Sequence, residues 1–280
     1  MNLVISGPIE VNLRNALVAL VKPRNVVRLH ARADRLESAD DSAEVREAVA
    51  RLCDASRVDH AYVEPGKKLS DFKLLAMDMD STLITIECID EIADFAGKKK
   101  EVAAITEAAM RGEITDFAES LRRRVALLAG TSVDVLERVY EERLRLTEGA
   151  EDLLSSARSN GLKSLLVSGG FTYFTDRLKD RLGLDYTYAN RLDVVSNQLT
   201  GIVCAPVFGA NEKAAALSAA ASLASASRQE TIVIGDGAND IQMMELTDTS
   251  VAFHAKQVVR FIATYRIDFG DLGTVIDWFS

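Results

Sequence analysis

The stretch FKLLAMDMDSTLI, residues 72–84, changes character halfway along its length. Its first part is a short apolar run, which is typical of a strand buried on both faces of a parallel sheet. Two carboxylates, Asp78 and Asp80, follow directly. Because open α/β sheets bind ligands at the carboxyl ends of their strands, this stretch predicts a parallel sheet with an acidic site at that edge.

The spacing of the two carboxylates matters for their chemistry. With one residue between them, Asp78 and Asp80 can share a crevice and still have different surroundings, so that one serves as a nucleophile and the other as an acid or base. Two neighbouring anions repel unless a cation joins them, and oxygen ligands without nearby His or Cys favour Mg²⁺. The alternative interpretation is a helix N-terminus, where Asp, Ser and Thr are ordinary capping residues.

Composition narrows the class of protein. The chain has 280 residues, of which 48% are hydrophobic and 27% charged, as expected for a soluble globular protein with one large core and a smaller unit. The net charge of -9 argues against a nucleic-acid partner. No signal peptide or membrane-spanning run is recognisable, so we expect a cytoplasmic protein without a membrane partner. The three cysteines are widely spaced and odd in number, which predicts buried apolar side chains rather than disulfides or a zinc site.

Residues 1–66 predict a small α+β domain. The order strand, helix, strand, strand, helix, strand is the ferredoxin-like plan, and it resembles the amino-acid-binding ACT domains. Packing or dimerisation is the favoured role, since a fold analogy alone carries little functional weight, and amino-acid sensing is the alternative. A homodimer is therefore one expected form of the protein.

The residues after the central strand, 87–146, have a nearly continuous helical pattern up to Leu146. A helical insertion next to a catalytic strand predicts a cap over the site. Glu87 follows the carboxylate pair closely, and Arg124 lies two helical turns after Phe117 on the same face. The alternative for Arg124 is a basic run on a solvated helix surface.

Two more predicted strands end in polar motifs. The strand Leu162–Val167 is followed by Ser168, Gly169 and Gly170, a pattern that favours an anion-binding nest or, alternatively, an ordinary turn. The strand Thr231–Ile234 is followed by GDGAND, residues 235–240, which differs from the glycine pattern of dinucleotide sites and could complete a metal site. Lys213 lies in an alanine-rich helix between them; a lone Lys there is usually solvated.

Together these motifs resemble the phosphoserine phosphatase family of the haloacid dehalogenase (HAD) superfamily, over residues 72–254. The resemblance implies an α/β fold with a Rossmann-like parallel sheet. Its core would comprise residues 67–86 and 147–280, with the helical cap inserted at 87–146 and the ACT-like domain in front. It also implies hydrolysis of a small molecule, O-phospho-L-serine, as the last step of serine biosynthesis.

The same resemblance implies roles for individual residues. Asp78 would attack phosphorus to form an aspartyl-phosphate, and Asp80 would protonate the leaving oxygen and then activate water. The ligands of Mg²⁺ would be Asp78, Asp80 and Asp236, supported by Asp240. The substrate-binding residues would be Glu87 for the ammonium, Arg124 for the carboxylate, Ser168, Gly169 and Lys213 for the phosphoryl group, together with Phe117 and Asn239. One extra residue beside Thr115 makes the position of Phe117 depart from the family pattern.

Two alternatives to this function stay open at the level of sequence. A HAD phosphatase or phosphotransferase for another phospho-amino acid would share the chemistry but not the specificity. A receiver-like or ACT-type sensor would use phosphorylated Asp78 as a signal and would need no acid at Asp80.

Overall fold

The computed structural model describes residues 1–280, and its chain forms two separate sheets, a short hairpin and twelve α-helices. The strands are β1 (Asn2–Ser6), β2 (Asn25–His30), β3 (Ala33–Glu37), β4 (Asp59–Val63), β5 (Leu74–Asp78), β6 (Lys163–Phe171), β7 (Tyr186–Asn190), β8 (Leu192–Val195), β9 (Gln198–Val203), β10 (Thr231–Gly235), β11 (Thr249–Phe253) and β12 (Tyr265–Ile267). The helices are α1 (Val11–Val21), α2 (Ala43–Ser56), α3 (Cys88–Phe95), α4 (Lys99–Met110), α5 (Phe117–Ala126), α6 (Asp134–Arg138), α7 (Ala150–Ser159), α8 (Thr172–Leu182), α9 (Ala210–Leu223), α10 (Ile241–Met244), α11 (Gln257–Ile262) and α12 (Thr274–Trp278).

The N-terminal unit contains β1–β4 and helices α1 and α2. Its antiparallel sheet has the order β2-β3-β1-β4, as the ferredoxin-like plan requires. Apolar side chains of the sheet and both helices, among them Leu3, Leu17 and Val49, form a separate cluster of 11 buried residues. The predicted α+β fold of this unit is confirmed.

The larger sheet is parallel throughout and has the order β12-β11-β10-β5-β6-β7. Strands β5, β10 and β11 are buried along their whole length because helices cover both faces, which explains their continuous apolar sequences. Clusters of 43 and 12 buried residues fill the molecule around this sheet. The predicted α/β core is confirmed, and β5 lies near its centre.

Helices α3–α6, hereafter the cap, are inserted between β5 and α7. The segments that lead into and out of the cap run side by side, since Ile84 pairs with Leu146 in an antiparallel bridge. The prediction of helix up to Leu146 was therefore wrong at its end: helical turns stop at Arg143, because the returning chain must extend to pair with the outgoing one. On its far side the cap contacts the β8–β9 hairpin, where the N-H of Gly130 donates to the carbonyl of Leu199 at 2.8 Å.

The N-terminal unit is attached to the core by a buried carboxylate. Asp59, 3% exposed, accepts hydrogen bonds from the N-H groups of Asp268 at 2.7 Å and Gly270 at 2.6 Å. The predicted boundaries at residues 66, 86 and 146 stay predictions. None of the helices combines the length and the apolar character that crossing a membrane requires.

One prediction about the cysteines needs correction. Cys53 and Cys88 are buried, as expected, but Cys204 is partly exposed, because it lies in the loop that follows the surface hairpin. All three thiols are free, so no disulfide constrains the fold.

Candidate active site

Asp78 lies at the carboxyl end of β5 and is 4% exposed. One of its oxygens, Oδ1, accepts a hydrogen bond from the N-H of Met79 at 2.7 Å and lies 2.7 Å from Nζ of Lys213. Burial, reinforced by repulsion from Asp240, raises the pKa of Asp78 well above its usual value. The carboxylate is thus held by a strand end and a buried cation in a site from which bulk water is largely excluded.

Lys213 lies in the first turn of α9 and its side chain is fully buried. The expectation of a solvated lysine, drawn from the helix alone, is wrong. Its ammonium also donates to Oδ1 of Asp240 at 2.8 Å. Burial by itself lowers the pKa of Lys213, but Asp240 and Asp78 outweigh burial and raise it, so the ammonium stays charged.

The loop after β10 brings the second acidic pair to the same place. The carboxylates of Asp78, Asp236 and Asp240 each offer an oxygen within 4.8 Å of the others. Asp240 is fully buried and its Oδ2 accepts from the N-H of Gly237 at 3.0 Å, which fixes the loop. Burial, with repulsion from Asp240, raises the pKa of Asp236 to about 6. The ammonium of Lys213 contacts two of the three carboxylates, Asp78 and Asp240, so the cluster has excess negative charge that a divalent cation would neutralise.

Asp80 has different surroundings from Asp78. Its Oδ1 accepts from the N-H of Cys88 at 3.0 Å, at the start of the cap, and its Oδ2 accepts from the hydroxyl of Ser168 at 3.3 Å. Burial, with repulsion from Glu87, raises the pKa of Asp80 to about 7. A carboxyl group with that pKa can give and take a proton near neutral pH.

The Ser-Gly-Gly motif lies inside β6 and not after it, contrary to prediction. Strand β6 continues to Phe171 because Phe171 pairs again with Asn190 after a shift in register. The residues between form a bulge at the carboxyl edge of the sheet. There the N-H of Gly170 donates to the hydroxyl of Ser168 at 2.8 Å.

A cavity of about 590 Å³ joins these strand ends to the cap. On the core side its lining includes Asp78, Asp80, Gly169, Asp236 and Asn239; on the cap side it includes Glu87, Phe117 and Arg124. Ser168, Lys213 and Asp240 lie beneath this lining: Ser168 donates to Asp80, Lys213 contacts Asp78, and Asp240 contacts Lys213. The structure therefore brings every predicted site residue into or directly against one cavity.

Three charged side chains on the cap side line the cavity, Glu87, Asp90 and Arg124. Arg124 is half-buried, and its Nε donates to the carbonyl of Ser120 at 3.4 Å, one turn earlier in α5. Burial lowers the pKa of Arg124, and Asp90 and Glu87 oppose that effect. Glu87 is exposed and accepts from the hydroxyl of Ser81 at 2.8 Å. Ser81 has a φ of 56°, a left-handed conformation that directs its side chain to Glu87.

Phe117 forms a wall of the cavity between the cap and the glycines. A methyl group added at Gly169 would come within 2.9 Å of the Phe117 ring, and one at Gly209 within 3.1 Å. The ring can approach the backbone at Gly169 and Gly209 this closely because neither residue has a side chain. Thr115 lies in the loop before α5, and Phe117, the first residue of that helix, lines the cavity.

Residues 75–245 match the family model described as haloacid dehalogenase-like hydrolase. The chain belongs to this family. The hydrolase fold predicted from the motifs is therefore confirmed, and the strand ends of β5, β6 and β10 are where this HAD hydrolase concentrates its polar groups.

Several known proteins are similar to this HAD hydrolase. A phosphoserine phosphatase from Albidiferax ferrireducens is 51% identical over 77% of this chain and 93% of its own. A HAD-family hydrolase from Salmonella enterica serovar Typhi has a similar structure, with a TM-score of 0.90 and 29% identity over 100% of this chain and 98% of its own. A structure described as a phospho-aspartyl intermediate analogue of phosphoserine phosphatase has a TM-score of 0.70 and 38% identity over 75% of this chain and 99% of its own.

Sequence reasoning missed three side chains of the site. Asp90 and Lys256 line the cavity, and Ser81 holds Glu87. Asp90 follows Glu87 by three residues, so helical spacing could have placed it on the cavity face of α3. Lys256 had no such signal, because it reaches the site only through the loop after β11, where its N-H donates to the carbonyl of Asp236 at 3.0 Å.

Proposed function

We propose that this HAD hydrolase removes phosphate from O-phospho-L-serine through an aspartyl-phosphate at Asp78. The observation that carries the proposal is the division of one cavity into two charged ends. At the floor, Lys213, the glycine bulge and the acidic cluster suit a phosphoryl group, and on the cap Glu87 and Arg124 suit an amino acid. The name of the 51% identical relative supports the same substrate.

The first half of the reaction would use Asp78 as nucleophile. An oxygen of its carboxylate forms a bond to phosphorus while the bond from phosphorus to the serine oxygen breaks, and Asp80 gives that oxygen a proton. In the second half Asp80 takes a proton from water as the water oxygen attacks phosphorus and the bond to Asp78 breaks. The pKa of about 7 for Asp80 suits both transfers.

The phosphoryl oxygens carry negative charge throughout and need fixed donors. Lys213, the hydroxyl of Ser168 and the N-H of Gly169 would supply them. Buried contacts with Asp78 and Asp240 hold Lys213 in place, and the Ser168 hydroxyl, which donates to Asp80 in this structure, would turn to the phosphoryl group. Asn239, on the β10 loop that lines the cavity, would add a donor from the opposite side.

A divalent cation fits the donor set, since the three clustered carboxylates offer hard oxygen ligands and carry more negative charge than Lys213 balances. Asp78, Asp236 and the backbone carbonyl of Asp80 would hold Mg²⁺, and Asp240 would support the loop. When bound, the ion would neutralise charge on the phosphoryl oxygens.

Specificity for an amino acid would come from the cap. The planar guanidinium of Arg124 can accept a carboxylate in a bidentate manner, and no ion pair with another residue occupies it. Glu87 is oriented by Ser81 and can bind an ammonium. A substrate without both groups, such as a sugar phosphate, would leave these charges unused.

Phosphate release from a panel of esters tests the function. We expect turnover of O-phospho-L-serine with a kcat/KM at least about tenfold above that for O-phospho-L-threonine or glucose 6-phosphate, because only the first matches both charged ends without extra bulk. Activity should disappear with a chelator and return with added Mg²⁺. Faster hydrolysis of an ester without an amino group would instead favour the alternative of another HAD phosphatase.

The matched substitution Asp80→Asn tests the mechanism against the sensor alternative. A carboxamide at this position cannot transfer a proton, so steady turnover should fall by about a hundredfold or more, whereas Asp176→Asn on the exposed side of α8 should have no effect. Full activity of Asp80→Asn would contradict the two-carboxylate mechanism. A place at the end of serine biosynthesis, a cytoplasmic location, a homodimer and amino-acid binding by the N-terminal unit stay predictions.

A further inference from the structure

Asn190, the last residue of β7, is 1% exposed and fills a gap made by the bulge in β6. Val167 pairs with Tyr188, and the next pair is Phe171 with Asn190, so β6 uses two more residues than β7 between the same two rungs. A bulge of this kind leaves backbone groups without a partner in the ladder. The side chain of Asn190 supplies a missing partner, since it donates to the carbonyl of Gly169 in the bulge.

The amide of Asn190 uses both its donors and its acceptor. Nδ2 donates to the carbonyl of Gly169 at 2.9 Å and to the carbonyl of Phe208 at 2.9 Å, while Oδ1 accepts from the N-H of Phe208 at 2.6 Å. Among side chains of this size only an amide offers two donors and an acceptor. A carboxylate would direct an oxygen at two carbonyl oxygens, and an apolar side chain would leave them unpaired.

One of these bonds fixes the glycine bulge. The carbonyl of Gly169 and the N-H of Gly170 belong to one planar peptide and point in opposite directions. With the carbonyl held by Asn190, the N-H is directed at the hydroxyl of Ser168, 2.8 Å away. That hydroxyl in turn donates to Asp80 at 3.3 Å. Asn190 thus sets the orientation of the peptide that shapes the nest.

The other two bonds fix the start of α9. Phe208 precedes Gly209, whose carbonyl accepts from the N-H of Lys213 at 2.9 Å in the first turn of the helix. The ammonium of Lys213 contacts Asp78 at 2.7 Å. A single buried amide therefore connects the two elements that supply phosphoryl donors, although neither is its neighbour in sequence.

We propose that Asn190 is a positioning residue for the phosphoryl end of the cavity, an inference that rests on the proposed phosphatase function. It holds the Ser168–Gly170 bulge and the Lys213 helix at a fixed separation, so that both reach the same phosphoryl group. Its side-chain hydrogen bonds go to Gly169 and Phe208 and not to the cap residues Glu87 and Arg124, and its loss should therefore leave the amino-acid end of the site intact.

The experiment uses the full chain with Mg²⁺ and the isosteric variant Asn190→Asp. The measurements are kcat and KM for O-phospho-L-serine and p-nitrophenyl phosphate, and the inhibition constants of orthophosphate and L-serine. The control is Asn160→Asp, which removes an amide that donates to the carbonyl of Ser156 at 2.9 Å at the exposed end of α7. We expect Asn190→Asp to lower kcat by about tenfold or more and to weaken orthophosphate inhibition similarly, with the L-serine constant unchanged and the control normal.

Two results would overturn the inference. One is a folded Asn190→Asp enzyme with unchanged kcat and orthophosphate inhibition. The other is an equal weakening of orthophosphate and L-serine inhibition, which would indicate general loss of structure. If Asn190→Asp does not fold, as judged by circular dichroism, Asn190→Ser is assessed by the same criteria, and failure of both to fold counts against a positioning role.

The design separates this inference from the proposed function. A wild-type enzyme that hydrolyses p-nitrophenyl phosphate but not O-phospho-L-serine would contradict the proposed substrate. The effect of Asn190→Asp on p-nitrophenyl phosphate turnover and on orthophosphate inhibition would still decide the role of Asn190.

Discussion

The ammonium of Lys213 lies 2.7 Å from Oδ1 of Asp78, and both side chains are buried. The same ammonium contacts Asp240 at 2.8 Å, so one cation serves two carboxylates from different strand ends. This arrangement keeps the carboxylate of Asp78 in place at the sheet edge. It also keeps a positive charge where we propose that the phosphoryl group binds.

Substitution of Lys213 by Met tests that relationship. Met has a similar length but no charge, so Asp78 and Asp240 would repel without compensation and the phosphoryl group would lose a donor. We expect kcat to fall by about a hundredfold or more, measured by phosphate release. Lys100→Met, on the exposed surface of α4, is the control and should behave as wild type. A Lys213→Met enzyme with normal kcat would show that the ammonium is not needed in the reaction.

The acidic cluster predicts a response to divalent cations that can be measured without turnover. Binding to the folded state alone should raise the free energy of unfolding by about 2.7 kcal/mol at a Mg²⁺ concentration 100 times Kd. Asp236→Asn removes one charge from the cluster and should reduce the stabilisation, measured as the shift in Tm on addition of Mg²⁺. Asp176→Asn should retain the full shift. An equal shift in both variants would place the cation elsewhere.

Arg124 and its neighbour Arg122 offer a matched pair on the same helix. Arg124 is half-buried against the cavity, whereas Arg122 is exposed. Arg124→Ala should raise KM for O-phospho-L-serine by about tenfold or more, because the substrate carboxylate loses a charge-assisted partner. Arg122→Ala should leave KM unchanged. Initial rates over a range of substrate concentrations decide the matter, and an unchanged KM in Arg124→Ala would remove the basis for carboxylate recognition.

Much of the fold could be predicted because the burial of each strand determines the pattern of apolar residues in its sequence. Strand β5 is buried on both faces and its sequence is continuously apolar up to Asp78, so that the strand and its acidic end are evident together. The order of elements in the N-terminal unit likewise leaves the ferredoxin-like plan as the natural arrangement.

The features that sequence missed depend on contacts between distant residues. Lys213 can be buried because its ammonium is paired with two carboxylates, which are 135 and 27 residues away in the chain. The composition of its helix gives no sign of these partners. The continuation of β6 through its glycines depends on Asn190, which supplies bonds that the ladder lacks. For β6 the local pattern predicts where the strand begins, whereas tertiary hydrogen bonds decide where it ends.

The closeness of Phe117 to the glycine bulge can be tested by adding a methyl group. In Gly169→Ala the new carbon would meet the Phe117 ring at 2.9 Å, so the ring or the bulge must move. We expect kcat/KM to fall by about tenfold. Phe117→Leu in the same chain provides a smaller side chain and should restore part of the loss, so the two changes should not be additive. Additive effects on kcat/KM would mean that the two residues act independently.

His60 predicts how stability depends on pH. It lies in a cavity of about 640 Å³ between the N-terminal unit and the core, which Arg46 and Arg266 also line. Burial, with repulsion from Arg266, lowers the pKa of His60 to about 4 in the folded state. In the unfolded chain the value is about 6.5, so between these pH values the unfolded state binds more protons and stability falls as pH falls. From pH 7 to pH 5 the contribution is about 1–2 kcal/mol.

The substitution His60→Gln isolates this contribution from that of the buried carboxylates, whose raised pKa values act in the opposite direction. Urea unfolding of both proteins at pH 7 and pH 5 gives the change in free energy for each. The wild type should lose about 1–2 kcal/mol more than His60→Gln between the two pH values, since Gln has no proton to gain. Identical pH dependence would mean that His60 is protonated as easily in the folded protein as in the unfolded chain. It would then follow that water and counter-ions enter the cavity freely, because burial beside two guanidinium groups would otherwise disfavour the imidazolium.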